Sequence, residues 1–135
     1  AIKVDNTKYE QVLVNLLMNA IHAMQSGPRY GRLCIRTRAG VAADQIHDDG
    51  LRTGSRLRRG EPVIITEIED NGCGIPQEVL NSIFDPFYTT KPTGMGTGLG
   101  LTVVKKIVEI HQGQIDVRSN HSGGTTVTLT FKQAS

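Results

Sequence analysis

Residues 11–24, QVLVNLLMNAIHAM, restrict the fold more than any other stretch of the chain. On a helix, Val12, Leu13, Val14, Leu16, Leu17, Met18, Ala20, Ile21, Ala23 and Met24 leave almost no solvent face. A helix that is apolar nearly all round is expected to be buried. Yet Gln11, Asn15, Asn19 and His22 follow one another at steps of four, four and three, so they share one stripe. A buried amide must find hydrogen-bond partners or incur a desolvation cost. Two readings compete. The asparagines are core amides bonded to backbone, or the stripe lines a polar cavity where their oxygens could ligate a hard cation such as Mg²⁺.

What surrounds this helix points to a sheet. IKVD, residues 2–5, alternates like a short strand, and Asp5 or Asn6 can cap the helix over 7–24 that ends at Ser26-Gly27-Pro28. GRLCIRTRA, residues 31–39, alternates with Leu33, Ile35 and Thr37 on one face. Residues 40–60 are polar and show no period, so they read as a long loop or flexible insertion, its second half made basic by Arg52, Arg56, Arg58 and Arg59. EPVIITEIED, residues 61–70, is rich in β-branched residues and reads as a strong strand, broken sharply by NGCGIP. PQEVLNSIF suggests a short helix with Pro76 in its first turn. GLTVVKKIVEIHQ is an amphipathic helix stopping at Gly113, and GQIDVRSN, SGG and TTVTLTF make a closing hairpin. This order predicts an α/β two-layer sandwich: a mixed, mostly antiparallel sheet of about five strands, covered on one face by about three helices.

At 135 residues the chain suits one domain, residues 1–135. A net charge of +2 argues against a dedicated nucleic-acid binder. Cys34 and Cys73 are too few for a disulfide framework or a zinc site, and the expectation of reduced thiols suggests a cytoplasmic domain. No apolar run reaches membrane-spanning length, so no direct membrane contact is expected. The abrupt start at AIKVD suggests a fragment of a longer protein.

Two further clusters could carry chemistry. In EDNGCGIP, Gly72 and Gly74 would let a flat ligand approach the backbone. Asp70, acceptor-only when ionised, could receive an exocyclic amino group such as that of adenine. A strand-ending turn is the alternative, since Asp, Asn and Gly are common turn residues. A near-match to a calcium loop at Glu67, Glu69, Asn71, Gly72 and Glu78 fails, because Pro76 interrupts it and a strand precedes it. In FYTTKPTGMGTGLGLT, glycines alternate at 94, 96, 98 and 100 before entering a helix. The spacing is neither a P-loop nor a dinucleotide fingerprint. Free N–H groups and the dipole at a helix N-terminus nevertheless favour anions.

Together these clusters resemble the ATP-binding (Bergerat, GHKL) fold, and more closely the catalytic ATP-binding domain of bacterial sensor histidine kinases of the nitrogen- and oxygen-sensor type. QVLVNLLMNAIHAM is similar to that family's N box, EDNGCGIP to its G1 box, IFDPFYTTK to its F box, GTGLGLT to its G2 box and GGTTVTL to its closing strand. The resemblance covers nearly the whole chain except residues 40–60. It implies that Asn19 ligates Mg²⁺ bridging the ATP phosphates, with Asn15 positioning the metal or its water. It implies that Asp70 accepts from adenine, that Gly72, Gly74 and Ile75 shape the pocket, and that Thr125 holds a water there. Gly96, Thr97, Gly98, Leu99 and Gly100 would present the backbone to the phosphates. A lid over about 84–97 would hinge on Phe84 and Phe87, and Lys91 or His22 would reach phosphate, His22 standing where many family members carry Lys.

In this fold the hydrolytic gyrase, chaperone and mismatch-repair group carries Glu at the position of Asn15 as general base. An amide cannot take a proton at neutral pH, so Asn15 favours phosphoryl transfer to histidine over a hydrolytic or chaperone-like ATPase, which is the alternative. None of His22, His47, His111 and His121 sits in a phosphoacceptor context, and His111 suits a helix C-terminus. The resemblance therefore implies that the acceptor histidine lies on a dimerisation domain outside this chain. The implied partners are ATP, that domain of the same parent, and a downstream response regulator. The implied parent is a homodimeric kinase of the two-component type, which could itself be an inner-membrane sensor.

Overall fold

The computed structural model describes residues 6–25, 30–42, 50–53, 60–75, 77–83, 100–119 and 123–133. Helix α1 (Asn6–Gln25) leads into strands β1 (Leu33–Val41), β2 (Gly50–Thr53) and β3 (Pro62–Asp70). A 3₁₀ turn at Gln77–Ser82, helix α2 (Gly100–Ile110) and strands β4 (Gln114–Ser119) and β5 (Thr125–Lys132) complete the order. The five strands form one sheet ordered β1-β3-β5-β4-β2, and every pairing in it is antiparallel. The helices pack on one face, giving the two-layer sandwich that the sequence pattern predicts.

Alternation along the inner strands builds the core. On β3 and β5, Ile68, Leu129 and Phe131 point into the helix layer and are buried. Val12 and Leu16 come down from α1, Val104, Ile107 and Val108 from α2, and Leu80 and Ile83 from the 3₁₀ region. Tyr9 stands edge-on to Phe131 at 5.8 Å between ring centroids, tying the start of α1 to β5.

Four features depart from the sequence reading. Residues 40–60 are not all loop, because Gly50–Thr53 pairs with Ile115–Arg118 as an edge strand too short to stand out by periodicity. The segment after Pro76 is 3₁₀ rather than α-helix, so the layer among the described residues is two α-helices and a 3₁₀ turn. Leu33, Ile35 and Thr37 do share a face, but β1 is an edge strand and that face stays open to solvent. Finally, α1 is not buried all round: Val14, Met18 and Ile21 are 57%, 44% and 41% exposed. The sheet and α2 take only one side of the helix, and sequence spacing alone cannot say how many sides are covered. The expected strand at 2–5 lies outside the described residues.

Helix α2 ends as a Schellman turn. Gln112 takes φ 57°, its N–H reaching Glu109 O at 3.1 Å while Gly113 N–H reaches Val108 O at 2.9 Å. Gly113 serves a different need from the one its position suggests. A Cβ there would lie 2.8 Å from the Phe131 ring and from Thr130 O, so the glycine lets the helix end pack on β5. His111 is a helix-end residue, its Nδ1 2.8 Å from Ile107 O.

Leu129→Ala, in the fully buried centre of β5, is expected to cost about 2–5 kcal/mol in urea unfolding. Val14→Ala is expected to stay within about 0.5 kcal/mol. A comparable loss in both would mean that the outer side of α1 is covered after all.

Candidate nucleotide-binding site

The end of β3 is where the chain's polar, glycine-rich signals converge. Asp70 closes β3 and is buried, and its register partner on β5 is Thr125, also buried. The Gly72 N–H donates to Asp70 Oδ1 at 2.8 Å. Burial pushes the Asp70 carboxyl above the usual carboxylate range, opposed by the backbone donors of Gly72 and Thr125 and helped by the neighbouring charge of Glu69. A carboxylate has about four acceptor positions, so two backbone donors leave capacity for a ligand's N–H.

Three glycines make this geometry possible. Gly124, at φ +92°, lies so close to β3 that a Cβ would fall on the Asp70 carbonyl oxygen and 2.9 Å from Asn71 Cα. Gly72 meets the last turn of α1, where a Cβ would be 2.7 Å from the Ala23 carbonyl carbon and oxygen. The adjacent Cys73 N–H donates to Ala23 O at 3.2 Å. The missing side chain of Gly72 is thus taken up by the helix. Gly74, at φ +74°, sits 3.0 Å (by an ideal Cβ) from Ser119 Oγ, which accepts the Ile75 N–H at 3.1 Å. Ile75 packs half-buried against the core.

Asn71 is a latch that the sequence reading did not assign. Its Oδ1 accepts the Arg32 N–H at 2.7 Å, its Nδ2 donates to Tyr30 O at 3.0 Å, and its own N–H reaches Arg32 O at 3.2 Å. It joins the end of β3 to the chain entering β1. The available signal was an Asn beside a strand end, a residue type that readily bonds nearby backbone.

Because Gly72 and Cys73 hold Ala23, the polar stripe of α1 ends at the same place. Asn15, Asn19 and His22 are half-buried along it, one turn apart. Both asparagines carry further polar interactions. The His22 Nδ1 is buried and has no hydrogen-bond partner. Neutral amide oxygens on one helix face suit a hard cation that keeps water and phosphate oxygens as its other ligands. Among the described residues no group of three or more His, Cys, Asp or Glu could hold a metal on its own. The donor set therefore fits Mg²⁺ only as a partner of a phosphate ligand.

The structure thus brings Asp70, Gly72, Gly74, Ile75 and Thr125 together at the end of β3, and α1 meets them at Ala23, next to His22, with Asn19 and Asn15 one and two turns further back along the helix. Gly100 begins α2. Phe84, Phe87, Lys91, Gly96, Thr97, Gly98 and Leu99 lie outside the described residues, as do His47 and His121. No helix among the described residues is long and apolar enough to cross a membrane.

Comparison with known proteins agrees with this geometry. Residues 4–135 match the family of histidine kinase-, DNA gyrase B- and HSP90-like ATPases. The chain is 42% identical over 130 residues to the sensor kinase CckA of Brucella abortus, covering 95% of this chain and 13% of that protein. It is 35% identical over 130 residues to the sensor protein FixL of Bradyrhizobium diazoefficiens, covering 96% of this chain and 21% of that one. The chain thus spans about a fifth or less of these relatives. Its fold matches the catalytic domain of histidine kinase ThkA with a TM-score of 0.67 at 27% identity, covering 99% of this chain and 73% of that one. The mycobacterial sensor histidine kinase MprB matches at 0.66 and 25% identity, covering 95% and 72%. The chain belongs to the histidine kinase-, DNA gyrase B- and HSP90-like ATPase family, as an ATP-binding catalytic domain of the sensor histidine kinase type.

Proposed function

We propose that this domain binds Mg²⁺·ATP and transfers the γ-phosphoryl group to a histidine on a separate domain of its parent protein. The observation that carries the reading is Asp70, a buried carboxyl with acceptor capacity to spare, at the point where α1, β3 and the glycine turn before β5 meet. Asp70 accepts the adenine amino group, and Thr125 beside it holds a water against the ring. Gly74 and Ile75 wall the pocket. The stripe of α1 faces the phosphates, with Asn19 and Asn15 holding Mg²⁺ and His22 as a phosphate contact. Bound there, Mg²⁺ neutralises charge on the phosphate oxygens. Phe87, Lys91 and the residues 96–100 supply the lid and the backbone N–H groups of the phosphate site.

The acceptor imidazole nitrogen attacks the γ-phosphorus, the bond to the β-phosphate oxygen breaks, and ADP leaves. Neutral imidazole is already nucleophilic, so no general base is needed on α1, and the amide of Asn15 fits that role where a carboxylate would favour water attack. The domain works beside its phosphoacceptor and a response regulator of the two-component type. Steady ATP turnover by this chain alone would favour the hydrolytic reading instead.

Calorimetry of the chain with a non-hydrolysable ATP analogue is expected to show binding that strengthens with Mg²⁺. Asn19→Ala should lose the Mg²⁺-dependent part, roughly tenfold or more, while metal-free ADP binding largely survives. Equal loss under both conditions would remove Asn19 from the metal site.

Asp70→Asn separates binding from stability. The folded-state pKa of Asp70 is raised, so the native state holds the proton more tightly than the unfolded chain. Stability from this group therefore falls as pH rises from the unfolded carboxylate value of about 3.9 through the raised folded value. The substituted amide does not titrate, so it removes that loss, and its oxygen can still accept the Gly72 N–H. The variant is expected to melt no lower than wild type at pH 7.5 and to bind nucleotide at least tenfold more weakly. A lower melting temperature with unchanged binding would make Asp70 a structural residue.

A further inference from the structure

From the free edge of the sheet we infer that β1 is a self-association surface, which pairs antiparallel with β1 of a second copy of this chain. Among the described residues β1 pairs only with β3, and no described strand lies along the other side of this nine-residue strand. Three of its five helix-side residues are large, apolar and open, Leu33, Ile35 and Val41 being 38%, 51% and 62% exposed. The helix above continues the patch. Met24 of α1 lies 3.2 Å from where a Cβ on Gly31 would stand, so the C-terminal part of α1 leans over the entry to β1.

Edge strands are ordinarily shielded from such pairing by charge. Here the shield is neutralised within the sheet. Arg36 pairs with Glu67 at 3.4 Å and with Glu69 at 3.6 Å, and Arg38 pairs with Glu67 at 3.5 Å. Two arginines and two glutamates on this face of each copy sum to zero.

The sequence of β1 is also self-complementary about Thr37. A two-fold axis there sets Leu33 opposite the second copy's Val41 and Ile35 opposite the second copy's Ala39, all on the helix side. On the other face Cys34 meets Gly40 and Arg36 meets Arg38, like charges across the seam whose glutamate partners lie on β3, which weakens the pairing. Shifting the register by one residue would set apolar residues against the charged face. The result is an isologous contact that joins two sheets into one.

The contact is small. Nine residues span about 30 Å. A strip of that length covers roughly 500 Å², short of the ~800 Å² per partner of a standard stable interface. Association is therefore weak and concentration-dependent. It is independent of nucleotide binding and separate from any dimerisation helices elsewhere in a parent protein.

Sedimentation equilibrium of the chain up to about 0.5 mM tests the inference. The weight-average mass should rise above the 14.7 kDa monomer towards twice that value. Ile35→Lys should hold it at the monomer, whereas Ile110→Lys, at a still more exposed apolar site on α2, should not. In a Cys34→Ser, Cys73→Ser background, Thr37→Cys should form a disulfide-linked dimer on mild oxidation. Residues opposite each other in an antiparallel pair have Cα atoms about 4.5–5.5 Å apart, within disulfide reach. A constant monomer mass, or a dimer in which the thiol introduced by Thr37→Cys does not crosslink, would overturn the proposal. So would a dimer that Met18→Lys abolishes and Ile35→Lys leaves intact, because the contact would then lie on α1.

Discussion

The approach of Gly124 to the backbone of Asp70 and Asn71 is the contact on which the rest of the site depends. It fixes how the turn before β5 crosses the end of β3. Any side chain at 124 would collide with main-chain atoms, which cannot move aside without breaking the β3–β5 register. Gly72 does the same for the last turn of α1 on the other side. Three elements distant in sequence are thereby locked at one point, and the carboxyl of Asp70 sits within that lock. A rigid junction there is what the proposed adenine site would require, since positioning is most of what a phosphoryl-transfer enzyme supplies.

The site conflicts mildly with stability. Asp70 is held in surroundings that disfavour its charge. His22 keeps a buried ring nitrogen without a partner. Each is a cost that a purely structural core would avoid, and the two residues flank the contact of Gly72 with Ala23 in sequence. Such local violations of packing rules are expected where a ligand completes the structure. The lattice of Arg36, Arg38, Glu67 and Glu69 on the opposite sheet face is different in kind. It is exposed, and its ion pairs add little to folding.

Much of this was legible in the sequence. The period of α2, the β-branched run of β3 and the closing hairpin each signalled their element, because one buried face imposes a clear alternation. Asp70, Gly72 and Asn19 stood out because polar residues and glycines interrupted otherwise apolar segments. What was not legible depended on neighbours. Nothing in α1 says that Val14, Met18 and Ile21 face outward, since the sheet leaves one side of the helix uncovered. Gly50–Thr53 becomes a strand only because β4 offers it an edge. Gly72 reads in sequence as room for a ligand, and the room is filled by Ala23. Asn71 reads as a turn residue, but its amide joins two strands. Gly124 carried no signal of its own beyond its place in a glycine pair.

A nuclear magnetic resonance titration with ADP tests the central claim, that the junction at the end of β3 is the adenine pocket. The largest backbone amide shifts are predicted to fall on Asp70, Gly72, Gly74, Ile75 and Thr125, with side-chain amide shifts at Asn15 and Asn19 once Mg²⁺ is added. Saturable binding whose shifts cluster elsewhere, with these residues unmoved, would contradict it.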